Sequence, residues 1–371
     1  MLGTGLAQIR FVWWSGNVMP ASKQSRLSQA QRQAKPNIRQ VAQASGVSTI
    51  TASRAISGRA NVAEATRKRV LAVAQRLKYR PNRLVSAVMG GRTRTVGVMV
   101  PIGSWFQAQI IRGIHDTLAE HGHLPIIHFH GDGPGAMRDA AELDFLQRLL
   151  EHRVDGIIFI PSDESVPQNY LREVWERGLP LVAVDRRLAR TNADFSGTDD
   201  QAGGRMVAEY LVSLGHRRIA HITGESWVST YLDRRRGFEE AIRGRTDVAY
   251  QCVACVKSDC GTIAKSLLMA PDPPTAIFAA SDGMAARVYM AAEALGLRIG
   301  GDLSVVGFAD LIEVQGLRPR LTTVHQDAVE IGANAARLLL DRLEGRVSCK
   351  KPQIKRVTPQ LLIRESSSSP G

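Results

Sequence analysis

Four residues between Ser48 and Ser57 have side chains and a spacing suited to contacting base edges in duplex DNA. On a helix that begins after Ser48 they share one arc, while Ala52, Ala55 and Ile56 share a second arc that faces inward. Short or hydrogen-bonding side chains on the outer arc let a helix lie deep in the major groove. The outer-arc residues are Thr49, Ile50, Ser53 and Arg54.

The neighbouring sequence predicts the elements that position this arc. A first helix over 38–45 should stop at Gly46, because a left-handed turn costs glycine little. The Ser48 hydroxyl then caps the second helix. A third helix from about Ala63 places four apolar side chains on one face and completes a small core. The pattern is that of a helix-turn-helix.

Positive charge is concentrated at the same end of the chain. The net charge of the chain is +13. Residues 1–94 contain seventeen Lys and Arg against one acid, Glu64, whereas the remainder contains 31 bases and 34 acids. This asymmetry indicates a nucleic-acid-binding module joined to a slightly acidic domain. The alternative for the charge alone is a solvated basic tail.

From Val96 onward, apolar runs such as "VGVMVP" and "VDGIIFIP" alternate with segments of helix length. This alternation predicts an α/β fold with parallel sheets covered on both faces. About 270 residues of it exceed one core, so we expect two lobes. No apolar run approaches the ~20 residues that span a bilayer, and we expect a cytoplasmic protein. Residues 1–36 should form a mostly disordered arm, with Met19 as an alternative start, and residues 365–371 should be loose.

The cysteines and glycines give no catalytic or metal signature. Cys252 and Cys255 form a C-x-x-C with Cys260 nearby, but no second pair and no paired histidines accompany them, so we expect neither a metal nor a cofactor. The glycine-rich run at 131–135 lacks the dinucleotide-binding spacing, and there is no G-x-S-x-G. An enzyme is therefore not expected.

The stretch "IRQVAQASGVSTITASRAISGRANVAEATRKRVLAVAQRLKYRPN" resembles the DNA-binding domain of the lactose/galactose repressor family of bacterial regulators. The similarity continues through "RTRTVGVMVP", "GHRRIAHITG", "SDGMAA" and "LSVVGFAD", and covers roughly residues 37–364. It implies a helix-turn-helix over 37–81, a hinge helix and linker over 82–95, and a two-lobed core over 96–364 similar to periplasmic sugar-binding proteins. It also implies a homodimer on a near-palindromic DNA operator, controlled by a small effector, most often as a repressor.

The resemblance assigns roles to particular positions. Thr49, Ile50 and Arg54 fall where the family reads bases, and the hinge helix that enters the minor groove falls on 82–89, beginning at Asn82. Val88 stands where the family usually wedges a leucine between base steps, so either Val88 or Met89 takes that role.

Polar residues that follow apolar strands should line the effector cleft, where open sheets bind ligands. Asp282 either contacts the effector or caps the following helix, and Phe106 and Trp227 either stack on a sugar ring or fill the core. Asp310 stands one place after the position where the family often has an aspartate. The expected effector residues are Phe106, Asp185, Trp227, Arg234, Ser281, Asp282 and Asp310.

The effector class follows from two of these positions. Arg234 lies three residues before a "GF", where the family's arginine reaches the ligand, and an arginine grips vicinal hydroxyls or a carboxylate. Ala309 replaces the family's aspartate, so either Asp310 substitutes or the ligand offers no hydroxyl there. We expect a sugar or sugar acid, with a sugar acid preferred. The competing hypothesis, a sugar-binding transport protein, is disfavoured by residues 37–95.

Overall fold

A computed structural model describes residues 36–57, 62–79, 92–101, 103–130, 135–161, 171–188, 191, 193–347 and 351–371. The chain divides into two compact units, residues 1–86 and 87–371. Within the described ranges, no helix is both long and apolar enough to cross a membrane. The predicted hinge residues Asn82, Val88 and Met89 lie outside these ranges, as does the predicted arm up to residue 35, so those expectations remain predictions.

The first unit contains three short helices, α1 (Ile38–Ser45), α2 (Thr49–Ile56) and α3 (Glu64–Arg76). Gly46 ends α1 with a left-handed φ of 64°, and the Ser48 hydroxyl accepts a hydrogen bond from the Thr51 N–H at 3.1 Å. The predicted helix-turn-helix is confirmed in both its turn and its cap. The sequence reasoning missed the capping box at the start of α1, in which Asn37 and Gln40 exchange hydrogen bonds.

A small apolar core joins these helices. Its members are branched or small, which permits close helix contacts: Val41, Ala42, Ala52, Ala55, Val70, Val73 and Ala74. Ala63 stands at the N-cap of α3 and makes no side-chain cap, which costs ~1 kcal/mol relative to a serine or aspartate cap.

The second unit contains two lobes. Lobe 1 comprises residues 92–198 and 328–357, and lobe 2 comprises residues 200–327 and 360–371. The elements of lobe 1 are β1 (Thr95–Pro101), α4 (Trp105–Glu120), β2 (Leu124–His130), α5 (Gly135–Glu151), β3 (Gly156–Phe159), α6 (Arg172–Glu176), β4 (Leu181–Val184), β5 (Asp194–Thr198), α11 (Ala328–Leu343) and β11 (Ile354–Val357). Those of lobe 2 are α7 (Asp200–Ser213), β6 (Arg218–Thr223), α8 (Ser229–Ala241), β7 (Ala249–Ala254), α9 (Cys260–Leu268), β8 (Ala276–Ala279), α10 (Asp282–Ala294), β9 (Ser304–Ala309), β10 (Thr322–His325) and β12 (Gln360–Leu362).

Each lobe is built on a six-stranded sheet. The strand order is β11-β5-β4-β3-β1-β2 in lobe 1 and β12-β10-β9-β8-β6-β7 in lobe 2. All described pairings are parallel except the edge pair β10–β12, which is antiparallel. The predicted pair of parallel-sheet lobes is therefore confirmed, with one antiparallel edge strand added.

Covering on both faces explains the apolar runs. Along β1, Val96, Val98 and Val100 pack into a core formed with α4 and α11, whereas Met99 packs into a second core formed with α5. Alternate residues of a strand point to opposite faces, so both sets must be apolar.

Three connections join the lobes, at residues 198–200, 325–328 and 357–360. They are hydrogen-bonded to one another. The Gln326 side-chain amide donates to the Thr198 hydroxyl at 2.6 Å, and the Asp199 N–H donates to the Val357 carbonyl at 3.0 Å. A change in the angle between the lobes must therefore move these three connections together.

The expectation of a loose C-terminal tail is wrong. The Ser366 hydroxyl is buried, donates to the Val305 carbonyl at 2.6 Å and accepts from the Thr322 N–H at 2.8 Å. The Ser368 N–H donates to the Ser304 hydroxyl at 3.0 Å. Four serines in a row look featureless in sequence, but the Ser366 and Ser368 hydroxyls bond backbone groups of lobe 2, and the Ser367 hydroxyl bonds those of Tyr210 and Thr322.

Candidate functional site

The outer arc of α2 projects from the first unit. Ile50 is 62% exposed, and Thr49, Ser53 and Arg54 are also exposed. Ala52 and Ala55 on the opposite arc are buried. The arrangement leaves one helix face free of intramolecular packing, so it can enter a groove.

The same unit also carries exposed basic side chains. Lys68, Arg69 and Arg76 of α3 are exposed, and Glu64 is the only acid in residues 1–86. Positive charge on the unit is therefore almost uncompensated by nearby carboxylates. Such a surface suits phosphate contacts, which position a protein on DNA without reading its sequence.

A second site lies where the carboxyl ends of the two sheets face each other. Arg187, just after β4 of lobe 1, pairs with Asp233 of α8 in lobe 2 at 2.9 Å. Its N–H also donates to the Ser229 hydroxyl at 3.2 Å. At the far side, the Trp105 N–H of α4 donates to the Glu313 carboxylate of lobe 2 at 2.8 Å. These contacts bound an interlobe cleft.

Arg234 is a buried side chain of this cleft that hydrogen bonds and a ring contact hold in place. It is 5% exposed. Its Nε donates to Asp200 Oδ1 at 2.8 Å and its Nη1 to the Ala280 carbonyl at 2.6 Å. The guanidinium carbon lies 3.7 Å from the centroid of the Phe308 ring, a cation–π contact. The arginine is thus fixed on three sides before any ligand contact.

Glycines set the geometry of this arginine. A Cβ on Gly204 of α7 would lie 2.0 Å from the Arg234 carbonyl oxygen, and one on Gly237 of α8 would lie 1.9 Å from the Gln201 carbonyl oxygen. A Cβ on Gly203 would overlap the Phe308 ring, at 2.6 Å. The two helix backbones touch only because these positions lack side chains, and that contact brings Asp200 and Arg234 together.

Asp185 directly follows β4 at the carboxyl end of the lobe 1 sheet. It is 8% exposed, and no described residue donates a hydrogen bond to its carboxylate. Its φ of 63° is left-handed, a strained conformation of the kind found at binding sites. Burial raises the pKa of Asp185, while Arg186 and Arg234 oppose that rise. The charge of Arg234 in lobe 2 therefore acts on Asp185 in lobe 1.

Asp200 is the carboxylate that pairs with Arg234. Burial raises the pKa of this carboxyl to about 7, against the opposing effect of the Arg234 charge. Desolvation therefore outweighs the ion pair near neutral pH.

Ser281 and Asp282 occupy structural positions at the start of α10. The Ser281 hydroxyl accepts from the Met284 N–H. Asp282 is fully buried, and its carboxylate accepts from the Thr323 hydroxyl at 2.6 Å and the Leu311 N–H at 2.7 Å. Burial raises the pKa of Asp282 to about 6. Ser281 caps α10, whereas Asp282 connects α10 to β10 and to the segment after β9, and both of its oxygens are engaged.

The other predicted residues are placed differently from one another. Asp310 pairs with Arg364 at 2.7 Å and with His325 at 3.1 Å, so its carboxylate is tied to the C-terminal segment. Phe106 packs partly against the lobe 1 core, whereas Trp227 is 50% exposed. Of the two predicted stacking rings, Trp227 is the more exposed and Phe106 is partly buried.

Sequence reasoning missed Asp200, Tyr231, Arg187 and Asp233. Tyr231 stands one helical turn before Arg234 on α8, and its ring centroid lies 5.9 Å from that guanidinium. The i, i+3 spacing was available in the sequence. The Asp200–Arg234 pair was not, because it joins residues 34 positions apart through a helix crossing.

Two protein-family models match the chain. Residues 37–82 match "Bacterial regulatory proteins, lacI family", and residues 208–367 match "Periplasmic binding protein-like domain". The first match coincides with the three-helix unit, and the second covers most of lobe 2 together with α11 and β11 of lobe 1.

The chain is also similar to curated transcriptional regulators and to the solved structure of a repressor. The chain is 32% identical to the HTH-type transcriptional repressor CytR of Escherichia coli (strain K12), covering 83% of this chain and 90% of CytR. It is 30% identical to the HTH-type transcriptional regulator DegA of Bacillus subtilis (strain 168), covering 90% and 98%. A lac repressor dimer bound to operator and the anti-inducer ONPF superimposes with a TM-score of 0.72 at 25% identity, covering 90% and 99%.

These relatives are transcriptional regulators, not enzymes. The helix-turn-helix, the two parallel-sheet lobes and the extent of the similarity all agree with them. The chain belongs to the lacI family of bacterial regulatory proteins, a family of helix-turn-helix transcriptional regulators with an effector-binding core.

Proposed function

We propose that α2 of this regulator reads base pairs in the major groove through Thr49, Ile50, Ser53 and Arg54. The single observation that carries the proposal is the exposed outer arc of α2, set opposite a buried alanine face. Arg54 has the length and the donors for a bidentate contact to guanine. The exposed cations of α3 supply phosphate contacts that fix the helix in register.

We infer that the regulator acts as a homodimer on a near-palindromic operator and represses carbohydrate-utilisation genes. One three-helix unit reads few base pairs, so useful specificity needs two half-sites related by two-fold symmetry. The lac repressor match is described as a dimer bound to operator, and CytR is named a repressor. The hinge residues Asn82, Val88 and Met89 are proposed to add minor-groove contacts.

The DNA proposal is tested by selecting bound duplexes from a random pool with the full-length protein, then measuring affinity for the selected site and for random duplex. Arg54→Ala should weaken binding to the selected site by ~1–3 kcal/mol. It should therefore lower the ratio of affinity for the selected site to affinity for random duplex. Arg69→Ala, as the matched control, should weaken both alike. An unchanged ratio for Arg54→Ala would show that α2 does not read bases.

We infer a neutral sugar as the effector, which reverses the preference for a sugar acid. The buried Asp185 carboxylate lacks a described donor and suits a ligand hydroxyl. Two donors of Arg234 are already used by Asp200 and Ala280, which leaves fewer for a ligand carboxylate. The CelR regulator is described with cellobiose and an Enterococcus faecium family member with ribose, both neutral sugars.

A thermal-shift series with cellobiose, ribose, lactose and gluconate tests this inference. We expect a neutral sugar to raise the melting temperature of the wild type and to lose that effect in Asp185→Ala. Asp302→Ala is the control, because Asp302 pairs on the surface with Arg298 at 2.8 Å. Stabilisation by gluconate alone would contradict the neutral-sugar assignment.

A further inference from the structure

Lobe 2 contains a pair of cysteines that neither DNA contact nor effector binding uses. Cys255 follows β7 and Cys260 begins α9, and their Sγ atoms are 3.0 Å apart. The thiols are buried, at 7% and 0% exposure. Two thiols at this distance are nearly in position to bond, because bonded sulfurs lie ~2.05 Å apart.

The backbone holds the pair in place. The Cys255 N–H donates to the Thr223 carbonyl at 2.9 Å, which fixes this residue to the end of β6. The Cys260 thiol lies 3.6 Å from the Val256 carbonyl oxygen. Between them the chain makes a single 3-10 turn, Lys257–Asp259. Closing the gap from 3.0 Å to the bonded distance needs about 1 Å of sulfur movement.

A metal ion is a poorer occupant of this place. Among the described residues, no group of three or more His, Cys, Asp or Glu is arranged to hold one. The third cysteine nearby, Cys252, lies on β7 and belongs to no such group. The pair thus has two sulfurs and no third ligand, whereas a structural zinc site requires four.

We propose that Cys255 and Cys260 form a redox-active dithiol that a low-molecular-weight disulfide such as glutathione disulfide converts to an intramolecular disulfide bond. One thiolate attacks a glutathione sulfur, which breaks the glutathione S–S bond and releases one glutathione as its thiol. The second thiolate attacks the mixed disulfide and releases the second glutathione. The protein loses two electrons and two protons, and two glutathione molecules gain them.

The residues around the cysteine pair determine how an oxidant reaches the sulfurs and how fast thiol–disulfide exchange is. The turn beside the pair is exposed at Ser258 and Asp259, and Val256 is 45% exposed, so opening this turn exposes the sulfurs without unfolding the lobe. Burial and the hydrogen bond with Cys260 raise the pKa of Cys255 to about 12. Few thiolates are present at neutral pH, so exchange is slow and must be followed to equilibrium.

The test uses the full-length protein equilibrated in glutathione buffers of increasing disulfide fraction, then alkylated and digested with trypsin. Cleavage after Lys257 places Cys255 in peptide 246–257 and Cys260 in peptide 258–265. We expect these two peptides to become joined as the buffer becomes oxidising, and to separate again in reducing buffer.

Cysteine variants assign the bond. Cys252→Ser and Cys349→Ser should retain the joined peptides, whereas Cys255→Ser and Cys260→Ser should each lose them. Circular dichroism of the reduced variants establishes that each is folded. Absence of the joined peptides from the wild type at every buffer ratio overturns the proposal. Their persistence in Cys255→Ser also overturns it, because Cys252 would then be the partner.

Discussion

Separating Arg234 from Asp200 should destabilise lobe 2, and the two single changes should differ in size. Both side chains are almost inaccessible, with 6% and 5% of their surfaces exposed, and their atoms are 2.8 Å apart. Breaking a buried ion pair leaves an uncompensated charge and costs ~3–5 kcal/mol. In Arg234→Met the remaining Asp200 can take up a proton, since burial already raises its pKa to about 7. We therefore expect ~3 kcal/mol for this variant.

In Asp200→Val the guanidinium cannot lose its proton, so we expect the upper limit of ~5 kcal/mol. The double variant removes both charges and should return to within ~1–2 kcal/mol of the wild type. The assay is the thermal midpoint of the full-length protein at pH 7.5, where the single changes should lower it by about 6–20 °C. Arg235→Met is the control, because its pair with Glu239 is exposed and contributes ~0–1 kcal/mol. Additive losses in the double variant would refute the buried-pair argument.

Two further predictions concern the same helices. Gly204→Ala should lower the thermal midpoint through a loss of ~1–3 kcal/mol, because its Cβ would lie 2.0 Å from the Arg234 carbonyl. Gly261→Ala, whose Cβ would meet nothing nearer than 3.9 Å, should be neutral or stabilising, and equal losses for both would contradict the packing argument. The pKa of Asp200 is raised to about 7, so its protonated form favours folding. That contribution is complete below about pH 4 and is lost as the pH rises through 7. Between pH 5.5 and 8, the free energy of unfolding of Asp200→Asn should fall by ~2 kcal/mol less than that of the wild type. The same pH slope in both proteins would contradict the raised pKa of Asp200.

Local sequence was sufficient for the three-helix unit. Gly46 specifies the turn through its backbone freedom, and Ser48 specifies the cap through its hydroxyl. Both features can therefore be predicted without knowledge of distant contacts. The parallel lobes were likewise predictable, because strands covered on both faces must be apolar on both faces.

The effector cleft was only partly predictable. Asp185 was predicted from its place after an apolar strand and Arg234 from the family resemblance, but the contact of Asp200 with Arg234 depends on the α7–α8 crossing at Gly204 and Gly237. Asp282 follows a strand just as Asp185 does, yet it is fully hydrogen-bonded within the protein. Strand position alone does not distinguish a carboxylate that faces a ligand from one that joins two elements.

The C-terminal serines were misjudged for a related reason. Composition favours a solvated tail, whereas the Ser366 hydroxyl joins the Val305 carbonyl of β9 to the Thr322 N–H of β10, and the Ser304 hydroxyl of β9 accepts from the Ser368 N–H. Such complementarity is a property of the folded sheet edge and leaves no periodic signal in the sequence.

The measurement that tests ligand control most directly is the operator Kd of the full-length protein with and without a saturating neutral sugar that stabilises it through Asp185. We expect the sugar to change the operator Kd by at least fivefold, the lower end of the ~5–150-fold range for coupled sites. The Arg234→Met/Asp200→Val double variant should lose this response while its sugar-free Kd stays within about threefold of the wild type, since the helix-turn-helix is untouched. A sugar that binds the wild-type cleft and leaves the operator Kd unchanged would contradict the account.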